Sequence, residues 1–492
     1  MKFYSTRGKD TVNSAAEAIV KGLSSDGGLF VPETFPDFSD KLENMLSMEY
    51  YERANYILSA FMPEYGDELK VKCKAAYDKF ENSEPAPVVK VDDNFYITEL
   101  FHGPTLAFKD VALTLLPFLL KKGSTVCGIK EDILVLVATS GDTGKAALEG
   151  FKNADGNKIM VFYPTGGVSD MQKLQMSTQE GENVNVVSVV GNFDDCQSTV
   201  KKIFSDEKFA EDLKKKGYRL SSANSINFGR LAPQITYYFS SYCDLVSSGE
   251  ISMGDKVDFV VPTGNFGNIL AGYYAKKMGL PIDKLVCASN RNNVLTEFFA
   301  SGKYDKNREF YKTTSPSMDI LISSNLERLV FEVSDRNCDL TAKRMEELKN
   351  TGVYEVSKTE LNKMAETFYA DFADEEECKE TIAEVFDENG YLMDPHTAVA
   401  VSVYKKYKSY TGSNKPVVVL STASPYKFGQ AVSEALFGKK IKDAFIAAEK
   451  ISEQSAVPIP ENILSLKNKP IRFNKSIDKA DAEDEVLNFI NK

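Results

Sequence analysis

The chain has 492 residues, too many for one small core, so size alone points to two or three domains. Hydrophobic residues at 43% and charged residues at 26% are the balance of a globular protein, which excludes a disordered or fibrous chain. A net charge of −12 leaves no positive excess for phosphodiesters, so nucleic acid is excluded as a main partner, while a local cationic pocket for a small anion stays open. The seven cysteines (Cys73, Cys127, Cys196, Cys243, Cys287, Cys338, Cys378) are scattered and never form a CxxC pair. That usage suits reduced thiols in the cytoplasm, not a disulfide frame or a zinc site. With only His102 and His396 present, a histidine-rich metal site is out of reach. No apolar secretory segment opens the chain. The longest apolar stretch, Val111 to Leu120, is too short for a membrane span.

Residues 1–94 read as a mostly helical N-terminal domain. Val12 to Leu23 is amphipathic and opens at Asn13-Ser14. Ser24 to Gly28 is a turn, and Leu29-Phe30-Val31-Pro32 is short and extended. Charged helical segments run from about Asp40 to Lys79. The Pro-rich Ser83-Glu84-Pro85-Ala86-Pro87 reads as a connection between domains.

From residue 95 strands and helices alternate. Phe95-Tyr96-Ile97 has strand character and leads through His102-Gly103-Pro104-Thr105 into a helix that starts near Lys109. Asp132 to Ala138 is a fully apolar run, the mark of a strand buried on both faces. Lys158–Tyr163 and Val184–Val190 read as strands, and a long helix is expected from about Asp194 to Lys216. A polar insert, Ser221 to Arg230, precedes a helix through Tyr242. Val257–Val261 and Leu285–Ser289 are strands. Residues 301–395 read as mostly helical, with a solvated acidic face at Asp374 to Glu377. Val417–Leu420 is the last strand, and the chain beyond Ile451 reads as peripheral. This alternation means an α/β architecture with mostly parallel sheets, whose ligands bind where strands end.

Lys109 has two readings. Its stem can pack along the helix while the ammonium reaches water. Alternatively, the helix N-terminus and desolvation lower its pKa and leave a nucleophilic amine for a carbonyl cofactor. Ser140-Gly141-Asp142-Thr143-Gly144-Lys145 invites a nucleotide reading, but Thr139 stands where a P-loop needs glycine, and Ala146 where it needs a hydroxyl. A loop of N–H and hydroxyl donors for a carboxylate fits better. Gly264-Asn265-Phe266-Gly267-Asn268 joins a strand to a helix. It is either a tight turn or a phosphate cradle, with Gly267 expected at the closest backbone approach. Ser421-Thr422-Ala423-Ser424 is a third polar loop. Asp394-Pro395-His396 begins a helix, and His396 is either a packing residue or part of a pocket.

Together these stretches resemble the threonine synthase family, pyridoxal-phosphate enzymes of fold type II related to the tryptophan synthase β family. The resemblance covers nearly the whole chain. It is carried by Tyr4 to Gly8, Ser25 to Glu33, His102 to Asp110, Ser140 to Gly144, Asn224 to Asn227, Pro262 to Asn268, Ser317 to Ile320 and Ser421 to Ala423. It implies two parallel-sheet domains with the cofactor between them. The large domain would be 95–130 with 221–460, the small one 131–220, and 461–492 a C-terminal tail.

The resemblance also implies roles. Lys109 carries pyridoxal 5'-phosphate. Gly264, Asn265, Phe266, Gly267 and Asn268 cradle its phosphate, and Thr422 partners its ring nitrogen. Ser140, Gly141, Asp142 and Thr143 take the substrate carboxylate. Arg230, Lys427 and Arg7 are the cationic candidates for the phosphate of O-phospho-L-homoserine, with Asn224 and Asn227 as neutral donors. The implied products are L-threonine and phosphate, made by a monomer or homodimer. Two rivals are a serine/threonine dehydratase of the same fold type and a non-catalytic homologue. The first lacks a site for a substrate phosphate, and the second has no need of a buried amine.

Overall fold

Two mostly parallel sheets order most of the chain. This computed structural model describes residues 1–139, 141–166 and 168–491. The larger sheet has six strands in the order Phe368–Phe372, Ile282–Ser289, Val257–Pro262, Val417–Ser421, Phe95–Glu99 and Val88–Asp92. All its pairs are parallel except the last, where Val88–Asp92 runs antiparallel to Phe95–Glu99. The central strand is apolar on both faces because both are covered: Val257, Phe259, Val260 and Val261 are completely buried. Its one carboxylate, Asp258, survives burial because it accepts the Lys284 N–H and the Tyr407 hydroxyl, each at 2.9 Å. Burial still raises its pKa.

The second sheet has five strands, all parallel, in the order Ser476–Ile477, Val184–Val189, Asn157–Pro164, Asp132–Ala138 and Tyr218–Ser221. The apolar runs foreseen as strands here agree with the structure to within a residue or so. The helix expected from Asp194 to Lys216 is instead two, Phe193–Ser205 and Glu207–Lys215. Asp206 leaves the helical region and its carboxylate accepts the Phe209 N–H at 2.9 Å, capping the second helix.

The chain beyond Ile451 is not peripheral. Ser476–Ile477 adds a strand to the second sheet, and Ala482, Val486, Phe489 and Ile490 of the last helix join the core formed by Leu134, Phe162 and Val187. The spacing of those four is that of one helix face, but charged neighbours dilute the signal. Three strands lie within 301–395, a stretch that the sequence reads as mostly helical. Phe368–Phe372 is the edge strand of the large sheet, and Lys303–Asp305 pairs with Val353–Glu355. The N-terminal region holds a small antiparallel sheet as well as helices: Phe3–Ser5 lies between Thr11–Val12 and Phe30–Pro32. The helix expected from Val12 is confined to Ala15–Lys21. Ser14 caps its start by accepting the Glu17 N–H, and Gly22, at φ +69°, ends it. Among the described residues, no helix is long and apolar enough to cross a membrane.

This topology places three loops side by side. Val257–Pro262, Val417–Ser421 and Phe95–Glu99 are consecutive parallel strands, so residues 263–268, 422–428 and 100–108 leave the sheet at the same edge. Backbone bonds staple two of them together. Phe108 N–H donates to the Thr422 carbonyl at 2.9 Å, and Ser424 N–H to the Leu106 carbonyl at 3.1 Å.

Candidate active site

Lys109 is the first residue of the helix Lys109–Leu113 and is 9% exposed. Its Nζ donates to Ser317 Oγ at 3.3 Å and lies 3.6 Å from Asp142 Oδ2. Burial lowers its pKa below that of free lysine. Asp142 opposes the shift, while the charges of Lys427 and Arg230 reinforce it. The snorkelling reading therefore fails: the ammonium does not reach water. The loop before it is held by Asp110, whose buried carboxylate accepts the Thr105 N–H at 2.7 Å and the Thr105 hydroxyl at 2.6 Å. Burial pushes the Asp110 pKa up to about 6.

Asp142 begins the helix Asp142–Phe151 on the second sheet, so it reaches Lys109 from the opposite wall. Its Oδ1 is 2.8 Å from Lys427 Nζ and accepts from Gln172 Nε2 at 3.1 Å, while its Oδ2 accepts from Ser317 Oγ at 3.3 Å. Burial alone would raise the Asp142 pKa. The charges of Lys427 and Lys109 outweigh it and hold the carboxyl far below the usual range. Lys427, expected as a cation for the substrate phosphate, is thereby committed. Its side chain is completely buried and also donates to the Thr105 carbonyl at 2.9 Å.

Thr139 shapes the turn before Asp142. Its hydroxyl accepts the N–H groups of Gly141 at 3.0 Å and Gly144 at 2.9 Å. That leaves the Asp142 and Thr143 N–H groups without an acceptor among the described residues. Ser140, expected in this loop, lies outside the described residues. Gly141 has φ +149°, and a Cβ there would sit 2.4 Å from the Gln172 side chain, so only glycine fits. Lys145 has no phosphate-loop role: its ammonium is tied to Glu149 at 3.1 Å and to the Gln179 side-chain oxygen Oε1.

Ser317 is the residue whose role the sequence did not reveal, although its motif was part of the resemblance. Its hydroxyl stands between Lys109 and Asp142, and its N–H donates to His396 Nε2 at 3.2 Å. His396 Nδ1 is 2.6 Å from Asp394 Oδ2. An accepting Nε2 and a donating Nδ1 define the neutral imidazole with its proton on Nδ1. His396 thus joins the helix cap at Asp394 to the Ser317 loop. His102 lies elsewhere, bridging Glu81 at 2.9 Å and Glu99 at 2.8 Å.

In the 264–268 loop, Phe266 takes the left-handed conformation at φ +63°, an uncommon one for an aromatic residue, and its ring packs against Phe299 and Phe368. The N–H groups of Asn265, Phe266, Gly267 and Asn268 have no acceptor among the described residues. Asn268 Oδ1 accepts from the hydroxyls of Tyr237 at 2.6 Å and Tyr238 at 2.9 Å, which leaves its buried Nδ2 with no partner among the described residues. The closest approach falls at Gly264, not Gly267. A Cβ on Gly264 would sit 2.7 Å from the Ser317 carbonyl oxygen, whereas one on Gly267 would meet Asn325 Nδ2 at 3.3 Å.

Arg230 lies in the first turn of the helix Phe228–Ser247 and is buried. Its Nη1 donates to the Ala223 carbonyl at 2.9 Å, while Nε has no partner among the described residues. No carboxylate lies within ion-pair distance of it among the described residues. Burial pushes its pKa down to about 10. Other expected donors are occupied. Asn227 caps the same helix through Gly229 N–H at 2.8 Å and donates to the Ile19 carbonyl at 2.9 Å. Arg7 forms a two-pronged bond to Glu327 at 2.9 and 2.8 Å. Asn224 is exposed and touches Ser225. Thr422 is buried at the staple to the Lys109 loop. Among the described residues, no group of three or more His, Cys, Asp or Glu side chains could hold a metal ion.

Residues 2–77 match the family described as threonine synthase N terminus, and residues 84–372 the pyridoxal-phosphate dependent enzymes. Residues 397–490 match the family described as threonine synthase, C-terminal. The chain belongs to the threonine synthase family. Threonine synthase of Pseudomonas aeruginosa is 40% identical over 445 residues, covering 89% of this chain and 91% of that protein. Human threonine synthase-like 1 is 42% identical over 443 residues, covering 87% of this chain and 58% of that protein. The chain thus spans less than two thirds of the length of the threonine synthase-like 1 relatives it matches. A crystal structure of pyridoxal-phosphate-bound threonine synthase from Brucella melitensis superposes with a TM-score of 0.89 at 36% identity, covering all of both chains. The two-sheet architecture is that of the fold type II pyridoxal-phosphate enzymes.

Proposed function

We propose that this threonine synthase family member converts O-phospho-L-homoserine and water into L-threonine and phosphate. The observation that carries the reading is Arg230, a buried guanidinium with an unpartnered nitrogen whose charge acts on Lys109. A cation left uncompensated beside a nucleophilic amine suits a substrate with a phosphate at one end and an amine at the other.

The residues fit pyridoxal phosphate. Lys109 would hold its aldehyde carbon, Thr422 its ring nitrogen, and the Gly264 to Asn268 loop its phosphate. Four N–H groups without acceptors and the unpartnered Asn268 Nδ2 match an anion there. When bound, the cofactor draws electrons from the substrate's Cα and so acidifies it and the neighbouring Cβ. The Lys109 amine moves the protons at Cα and Cβ, and its lowered pKa keeps more of it in the basic form. Ser317 and Asp142 orient that amine. The Asp142 and Thr143 N–H groups receive the substrate carboxylate. Arg230 stabilises the phosphate as its bond to Cγ breaks, and water then adds at Cβ.

On this reading the chain divides into an N-terminal domain (1–94), a large domain (95–130 and 221–460) and a small domain (131–220), with 461–492 packed on the last. The seven free cysteines suit the cytoplasm, where the enzyme would act as a monomer or homodimer on a small-molecule substrate.

The deciding experiment gives the holoenzyme phosphohomoserine, serine and threonine in parallel. Phosphate and threonine are expected in equal amounts from phosphohomoserine. Rapid 2-oxo acid release from serine, with phosphohomoserine inert, would move the protein to the dehydratase class. A second test probes the loop. Gly264→Ala is expected to weaken pyridoxal phosphate binding by at least about tenfold, because backbone must yield, and Gly267→Ala by less than about threefold. Titration of the visible absorption band measures both, and the reverse ranking would reject the loop's proposed role.

A further inference from the structure

Arg328 is a fully buried arginine in the helix Leu326–Val333, outside the site described above. Among the described residues, every partner of its guanidinium is a neutral carbonyl. Nε and Nη2 donate to the Phe30 carbonyl at 3.1 and 3.0 Å, Nη2 also to the Ile226 carbonyl at 2.7 Å, and Nη1 to Asn325 Oδ1 at 2.6 Å. Asn325 in turn grips the 264–268 loop, donating both its N–H and its Nδ2 to the Asn265 carbonyl at 3.0 Å. Arg328 therefore ties the N-terminal strand, the polar insert and the candidate phosphate loop to one guanidinium.

Its charge has no carboxylate within ion-pair distance among the described residues. The adjacent Glu327 is taken by Arg7 and by the Thr6 hydroxyl at 2.6 Å. Burying a lone cation is costly, and a carboxylate at position 325 would offset that cost, though without the Nδ2 donor to the Asn265 carbonyl. The chain has Asn325 there. An interior cation kept uncompensated, one amide away from a loop with four free N–H groups, implies an anion that arrives from outside.

We propose that Arg328 is a positioning residue for the cofactor phosphate: its fork holds Asn325 and thereby the 264–268 loop, and its charge is balanced by the phosphate that loop receives. This rests on the assignment of that loop to phosphate made above. It also gives the N-terminal region a part in cofactor binding, through the Phe30 carbonyl.

The test compares dissociation constants of the full-length protein for pyridoxal phosphate and for pyridoxal, whose ratio isolates the phosphate contribution. Arg328→Gln is expected to reduce the phosphate's contribution by at least about tenfold, and Arg328→Lys, which keeps the charge but not the fork, by an intermediate amount. Asn325→Asp keeps the arginine but supplies an internal carboxylate. It should reduce the phosphate's contribution at least as much as Arg328→Gln, because it neutralises the cation and also removes the Nδ2 donor that grips the Asn265 carbonyl. If Arg328→Gln does not fold, Asn325→Asp decides alone. Gly264→Ala is the control for the loop. If it weakens the phosphate contribution and the folded Arg328→Gln or Asn325→Asp does not, the role of Arg328 is overturned and the loop assignment stands. If Gly264→Ala leaves the ratio unchanged, the loop assignment fails and the proposal falls with it.

Discussion

Lys109→Ala is expected to lower kcat by at least about a thousandfold, because it removes both the cofactor's covalent anchor and the base that works at Cα and Cβ. The fold should survive. Lys109 Nζ contacts Ser317 Oγ and Asp142, and Asp142 keeps Lys427 and Gln172 after the change. The melting temperature should therefore move by only a few degrees, roughly what a 1 kcal/mol change does to a large domain. Borohydride reduction of the holoenzyme followed by peptide mapping should place the adduct on Lys109. An adduct on another lysine, or turnover retained in Lys109→Ala, would remove this residue from the chemistry.

Arg230→Ala should raise KM for phosphohomoserine and lower kcat/KM by more than about tenfold, since one or two charge-assisted bonds at ~1.5–3 kcal/mol each are lost. The visible spectrum of the resting holoenzyme should not change, because Arg230 has no role in holding the cofactor on this reading. Stability gives an independent check. Among the described residues the Arg230 side chain makes one hydrogen bond, to the Ala223 carbonyl, and carries a buried nitrogen with no partner. Removing it should leave the melting temperature level or raise it, as expected of a residue kept for a ligand and not for the fold. Arg230→Lys should recover part of the loss, because a point charge remains without the fork. If KM is unchanged in Arg230→Ala, the substrate phosphate binds elsewhere.

The sequence by itself determined the α/β class, the sites of the main strands and the motif around Lys109. Runs such as Asp132 to Ala138 and Val257 to Val261 are legible because a strand buried on both faces must be apolar throughout. Glycine-bearing turns after such strands mark sheet edges, which is why the loops at 141–144 and 264–268 could be found. The resemblance carried Lys109, Thr422 and Arg230, and their positions at those edges follow from the parallel order of the strands.

Partnership was not legible, because it depends on atoms brought together from distant positions. Arg7, Lys427 and Arg230 look alike in sequence. Only the tertiary structure shows that Arg7 is spent on Glu327 and Lys427 on Asp142, leaving Arg230 uncompensated. Asn227 looked like a free donor until the helix it caps was in place. The tight glycine of the 264–268 loop proved to be Gly264 because the Ser317 carbonyl, more than fifty residues away, packs against it. Ser317 itself had no local mark. Its position between Lys109 and Asp142 comes from His396, which accepts its N–H, and from the packing of its carbonyl against Gly264. Local pattern determines which residues form strands, helices and turns, since those depend on backbone periods a few residues long. Which buried charge is cancelled, and which is kept for a ligand, is decided only when remote segments meet.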